Sequence, residues 1–236
     1  MRRAALQLAV AVLAGCDGSG GGVGSTGTDV GNPVVVDLAF TAYPLAVGDA
    51  AVEAATIAVE RIRLRPAADC EGGAEIELAG PFTLDLLDPD PLGELAGFPV
   101  GSRAYCRIEL TWHRDEATDT AIRLAGVAAG EHFEIRSRRN DELRIEAVDD
   151  DGFTFNATTL FVAFDLITWL DGVDLSAAER QPDGSIAVSE DSNRDLLERF
   201  EDNVESASGL FADGDGDGAL DGDERDDDDL LAAGSR

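Results

Sequence analysis

"CRIELTW", residues 106–112, alternates strictly: Cys106, Ile108, Leu110 and Trp112 fall on one face, and Arg107, Glu109 and Thr111 on the other. A period of two with one apolar and one polar face marks a half-buried strand of an antiparallel sheet. The same alternation recurs on both sides. "VVVDLAFTA" (34–42) places Val34, Val36, Leu38 and Phe40 together, and "LFVAF" (160–164) does so with Leu160, Val162 and Phe164. "HFEIRS" (132–137), "ELRIEAV" (142–148) and "GFTFNA" (152–157) follow suit. In "ATIAVERIRLRP" (55–66) the apolar phase runs through Ile57 and Val59, then slips to Ile62 and Leu64. One extra residue at Glu60–Arg61 accounts for the slip, so a β-bulge is expected there. Turn signals separate the runs: "EGG", "AGP", "DPDPLG", "RRND" and "DDDG". About eight or nine short strands at this spacing, with no long helical run among them, predict an antiparallel β-sandwich.

Several of these segments, taken in order, resemble a known family. "ATIAVERIRLRP", then "FTLDLLDPDPLGELAGFPVGSRAYCRIELTW" (82–112), then "GEHFEIRSRRNDELRIEAVDDDGFTFNATTLFVAFDL" (130–166) are similar to the bacterial lipoprotein family called domain of unknown function 4382. The shared elements are the "LDLL" segment at Leu84–Leu87, the turn at Phe98–Tyr105 and the strand at Cys106–Leu110. The resemblance covers about residues 34–170. It implies an immunoglobulin-like or prealbumin-like sandwich on a lipid anchor, and it carries over no catalytic residue.

The start of the chain reads as an address. "MRRAALQLAVAVLAGC" has a basic start at Arg2 and Arg3 and an apolar core from Ala4 to Ala14. That core is too short for a bilayer, which needs about 20 apolar residues, and is the layout of a secretory signal. Leu13-Ala14-Gly15-Cys16 resembles the bacterial lipobox, which implies cleavage before Cys16 and acylation of that residue. Several acyl chains on one residue hold a membrane stably, at about 0.8 kcal/mol per buried CH₂. The Gly-rich stretch up to Pro33 reads as a flexible tether. The expected division is therefore 1–15 signal peptide, 16–33 lipidated Cys16 and tether, 34–175 sandwich, and 176–236 linker, helix and acidic tail.

Charge narrows the partners. The chain carries 48 acids against 18 bases, a formal net charge of -30, and every base is Arg. Such a surface repels phosphate backbones and argues against nucleic acid. It favours cations, basic surfaces or simple solubility, and a protein or glycan ligand in the envelope stays open. Cys70 and Cys106 form an even pair in a chain expected to be exported, where a disulfide is the usual state. The alternative is an inert buried thiol at Cys106. Catalytic signals are sparse: His113 and His132 lack metal-ligand spacing, and no nucleophile elbow or phosphate loop is present. Trp112, Trp169 and Tyr105 would serve either as a sugar platform or as core, the commoner use of large aromatics.

Near the C-terminus the period changes. Leu196, Leu197, Phe200 and Val204 form an amphipathic helical stripe, with Ser192 and Asp195 placed as a cap. This helix is expected to feed the loop "DGDGDGALDGDE" (213–224), which matches the EF-hand pattern without a gap. Asp213, Asp215 and Asp217 take positions 1, 3 and 5, and Gly218 takes the sharp turn at 6. Ala219 offers its carbonyl at 7, Asp221 acts at 9, and Glu224 is the bidentate ligand at 12. The bland alternative is a solvated acidic tail, but that would not require Leu220 or Glu224 where they stand. The expectation is a non-catalytic, lipid-anchored envelope protein binding one calcium. A calcium-dependent adhesin or carbohydrate module is the alternative, ahead of a hydrolase.

Overall fold

The computed structural model describes residues 33–73, 76–88, 95–155, 157–222, 224–225 and 230–234. The expected signal peptide, Cys16 and its tether up to residue 32 lie outside the described residues. The chain is mainly β. In order, the strands are β1 (Val34–Tyr43), β2 (Ala46–Val47), β3 (Ala50–Pro66), β4 (Ile76–Asp85), β5 (Phe98–Val100), β6 (Tyr105–Trp112), β7 (Ile122–Ala128), β8 (Glu131–Ser137), β9 (Glu142–Ala147), β10 (Thr159–Asp165), β11 (Ile186–Val188), β12 (Ser208–Ala212) and β13 (Leu230–Gly234). Two helices accompany them, α1 (Leu166–Trp169) and α2 (Arg194–Ser206). Among the described residues no helix is long and apolar enough to cross a membrane.

The strands join one curled sheet in the order β11-β8-β7-β3-β6-β9-β13-β12-β10-β1-β5, with β2 and β4 also on β3. The 17-residue β3 organises it. One edge of β3 carries β2 at Ala50–Ala51 and β4 over Thr56–Leu64, and the other carries β7 along its first half and β6 along its second. The changeover falls where the register slips between Val59 and Arg61, at the site of the expected bulge. A bulge bends and twists its strand, which lets β3 serve two branches of the sheet. The far end of β1 then returns toward β4: the Ala42 N–H donates to the Leu86 carbonyl at 3.0 Å.

The sheet is mixed, which corrects the antiparallel expectation. β1 runs parallel to β10, and β11 runs parallel to β8. Clean one-face alternation fits the antiparallel strands, whereas "LFVAF" (160–164) is apolar at every position, as suits a strand covered on both faces. Two further differences stand out. The described residues of "GFTFNA" form no strand; Phe153 makes a bridge with Tyr105, and both pack with Phe155 in an aromatic cluster. The region after residue 175 also contributes strands to the sheet. β11 extends the sheet beside β8, and β12 and β13 lie between β9 and β10.

The core is shared by the whole sheet. Leu38, Ile57, Ile62, Leu64, Ile108, Leu110, Ile145 and Val162 are all buried in one cluster. On β10 both faces are covered, with Phe161 and Ala163 packing with Ala39 and Phe211 on the side opposite Leu160, Val162 and Phe164. The α2 stripe docks as expected through Leu197, Phe200 and Val204. Its start differs from the expected Ser192 cap. Asn193 is the capping residue, in the left-handed region at φ 54°, and its side chain bonds Glu179 and Ala187 instead of the helix.

Cys70 and Cys106 are joined as a disulfide. The bond tethers the turn that follows β3 to the start of β6.

Candidate metal centre

The acidic loop is the connection of the β12–β13 hairpin. This corrects the expected helical entry. α2 ends at Ser206, and "SGLFA" then runs as β12 along β10 before the loop begins. The exit is a strand, β13, with its partner register on both β12 and β9. The loop therefore springs from β12, which is paired to β10, and leads to β13, which is paired to β12 and β9.

Asp213 opens the loop. Its N–H donates to the Thr159 carbonyl at 3.1 Å, which fixes it to β10, and its residue is only 5% exposed. Its Oδ1 accepts from the Gly216 N–H at 2.7 Å and its Oδ2 from the Gly218 N–H at 3.2 Å. That wrapping needs the backbone to turn left-handed at Gly216 (φ 77°) and Gly218 (φ 79°), conformations that glycine adopts freely. Glu224 closes the loop from the other side and is equally buried. Its Oε1 accepts from the Gly214 N–H at 2.7 Å, and its Oε2 lies 3.3 Å from the Asp221 N–H. First and last positions of the loop thus face each other across its interior.

Asp213, Asp215 and Glu224 each present a ligand atom within 4.8 Å of the others. They are three of the six residues expected to coordinate. The Asp217 and Asp221 side chains are outside that group, and Ala219 would contribute only a backbone carbonyl. The Asp217 Oδ1 accepts from the Ala219 N–H at 2.8 Å, and the Asp221 Oδ1 lies 3.4 Å from the Glu224 N–H. Asp215, Asp217, Ala219 and Asp221 are exposed. A carboxylate has lone pairs beyond those used by one N–H, so these bonds leave coordinating capacity on every member.

The loop is also anchored by its apolar residue. Leu220 packs against the cluster of Ala39, Phe161, Ala163 and Phe211, which explains why an apolar side chain stands between Ala219 and Asp221. A second anchor was not visible in the sequence. The Arg225 guanidinium lies 4.7 Å from the Tyr43 ring centroid, and its Nε donates to the Asp221 carbonyl at 2.7 Å. Burial, then Asp165, push the Tyr43 hydroxyl above its ordinary range, with Arg225 opposing. Tyr43 and Arg225 lie near opposite ends of the chain, so no local pattern could pair them.

The other candidate features resolve differently. Tyr105, Trp112 and Trp169 are all buried, so none of them belongs to an exposed sugar platform. A groove of about 700 Å³ runs between α2 and the β8–β9 turn. Its charges are largely matched: Arg139 bonds Asp141, Glu205 and the Glu201 carbonyl. A second groove of about 310 Å³ is lined by Val47, Leu170, Val173 and Leu175, with the Arg180–Glu131 ion pair also among its residues. His113 and His132 line neither.

Comparison with protein-family models, with characterised proteins and with solved structures gave no match to the chain.

Proposed function

We propose that the chain is a lipid-anchored protein of the bacterial cell envelope whose role is binding or structural, and that its β12–β13 loop holds one calcium ion. The resemblance to domain of unknown function 4382 and the lipobox-like Leu13–Cys16 support the anchor and an immunoglobulin-like or prealbumin-like packing of the curled sheet. The observation that carries the calcium reading is the gathering of Asp213, Asp215 and Glu224, positions 1, 3 and 12 of a gap-free EF-hand pattern, within 4.8 Å. Hard oxygen donors in an acidic loop suit calcium. Binding would relieve the repulsion among five carboxylates and draw Asp217 and the Ala219 carbonyl inward.

The affinity expected of such an extracellular site is about 10⁻⁴ to 10⁻³ M. At 10 mM calcium, linkage then stabilises the fold by about 1.4 to 2.7 kcal/mol. Thermal melting of the full chain in calcium against chelator should show this rise, and Asp213→Ala with Glu224→Ala should remove it. An equal rise in the double variant would reject the site. For the anchor, metabolic labelling with a fatty-acid analogue should mark the wild-type chain and not Cys16→Ser. Label retained in Cys16→Ser would reject acylation at that residue.

A further inference from the structure

Arg107 and Glu109 alternate with the core residues Ile108 and Leu110, so they point to the outer face of the sheet. That face is elsewhere wet: on β9, the neighbouring side chains of Arg144 and Glu146 are about half exposed. Yet the Glu109 side chain is 1% exposed and that of Arg107 7%. Glu109 accepts from Arg65, itself 15% exposed, at 3.0 Å and sits 2.9 Å from the Arg107 Nε, so a charged triad is largely withdrawn from water.

What lies over the triad is the turn after β3, a short 3-10 segment (Ala67–Asp69) and the residues up to Gly73. The Cys70 carbonyl accepts from Arg107 at 2.9 Å, the Gly72 carbonyl accepts from Arg65, and the Glu71 carboxylate lies 3.5 Å from Arg107. The short helix buries no residue of its own, and Ala68, Asp69 and Glu71 are exposed. No residue from 67 to 73 is fully buried. The turn is retained by those polar contacts, the backbone bond of Ala67 to Ala104, and the Cys70–Cys106 bond.

We propose that this disulfide is a redox latch: its reduction by a dithiol lifts the turn at 67–73 and exposes the Arg65–Glu109–Arg107 triad while the sheet stays folded. One thiolate of the dithiol attacks a cystine sulfur, breaking the Cys70–Cys106 bond and forming a mixed disulfide. The second thiolate of the dithiol displaces the remaining cysteine. The protein gains two electrons and two protons, and the dithiol leaves as a disulfide.

The test treats the full chain with dithiothreitol, counts free thiols, and follows short-pulse arginine labelling by phenylglyoxal. Arg139 is the internal control, since it is as enclosed as Arg107 (9% against 7% side-chain exposure) but is held far from the turn by Asp141 and Glu205. Labelling of Arg65 and Arg107 should rise at least about tenfold on reduction, as for any locally opened segment, with Arg139 unchanged and the near-ultraviolet signal of Trp112 and Trp169 retained. Cys70→Ser with Cys106→Ser should reproduce the open state; if that variant does not fold, the dithiothreitol arm decides alone. Resistance of the native bond to dithiothreitol, unchanged labelling of Arg65 and Arg107, or a parallel rise at Arg139 would overturn the latch.

Discussion

Replacing Trp169 by alanine is expected to lower the unfolding free energy by about 3 to 5 kcal/mol, the range for truncating a buried aromatic. Trp169 is fully buried at the junction of three elements. Its ring centroid lies 5.2 Å from that of Phe164 on β10 and 5.4 Å from that of Phe200 on α2, the latter edge to face. Its carbonyl also accepts from Asn203 of α2 at 3.3 Å. The cavity would therefore open where α2 docks, and α2 should lose amide protection before the sheet does. Trp169→Phe should cost much less than the area lost suggests. The buried Trp169 Nε1–H has no acceptor among the described residues, and phenylalanine removes that unmet donor along with the extra ring. Urea titration of the three proteins measures this; a loss under about 1 kcal/mol for Trp169→Ala would show that the site collapses or was never packed.

A loss of similar size, about 3 to 5 kcal/mol, is expected for Glu109→Ala, for an electrostatic reason. Arg65 and Arg107 face each other across the β3–β6 register, and Glu109 lies between their guanidinium groups. Removing it leaves the Arg65 and Arg107 charges, with Arg63 close by, in a largely dry site, answered by carbonyls and by the more exposed Glu71, Glu142 and Glu146. In a chain of this size each kcal/mol moves Tm by roughly 2 to 4 °C, so the change is easily seen by calorimetric melting. Replacing all three members by apolar side chains of similar volume should recover most of the loss, because removing the whole triad leaves no buried charge uncompensated. If Glu109→Ala alone were neutral, the triad would be hydrated.

These two residues also show what a sequence can and cannot disclose. The apolar faces of β1, β3 and β6, the bulge at Glu60–Arg61 and the α2 stripe are local periodicities, and each was readable from its own segment. The burial of Glu109 was not. Alternation correctly put it on the outer face, but only the tethered turn at 67–73, brought back from the end of β3, makes that face dry. The hairpin of β12 and β13 was hidden for another reason. "SGLFA" continues the apolar phase of α2 and "LLAAG" follows a run of Asp, so neither looks like a strand until β9 and β10 supply edges for them. In the candidate site, the ligand pattern and the place of Leu220 were legible because they are fixed by spacing within twelve residues. The Arg225–Tyr43 anchor and the strand on either side of the loop are tertiary, and spacing is silent about both.

Whether the β12–β13 loop binds one calcium ion, as proposed, is read from calorimetric titration of the full chain with calcium chloride. A single saturable site with Kd of about 10⁻⁴ to 10⁻³ M is expected, lost in Asp213→Ala with Glu224→Ala. No heat at millimolar calcium, or an unchanged titration in that double variant, would contradict it.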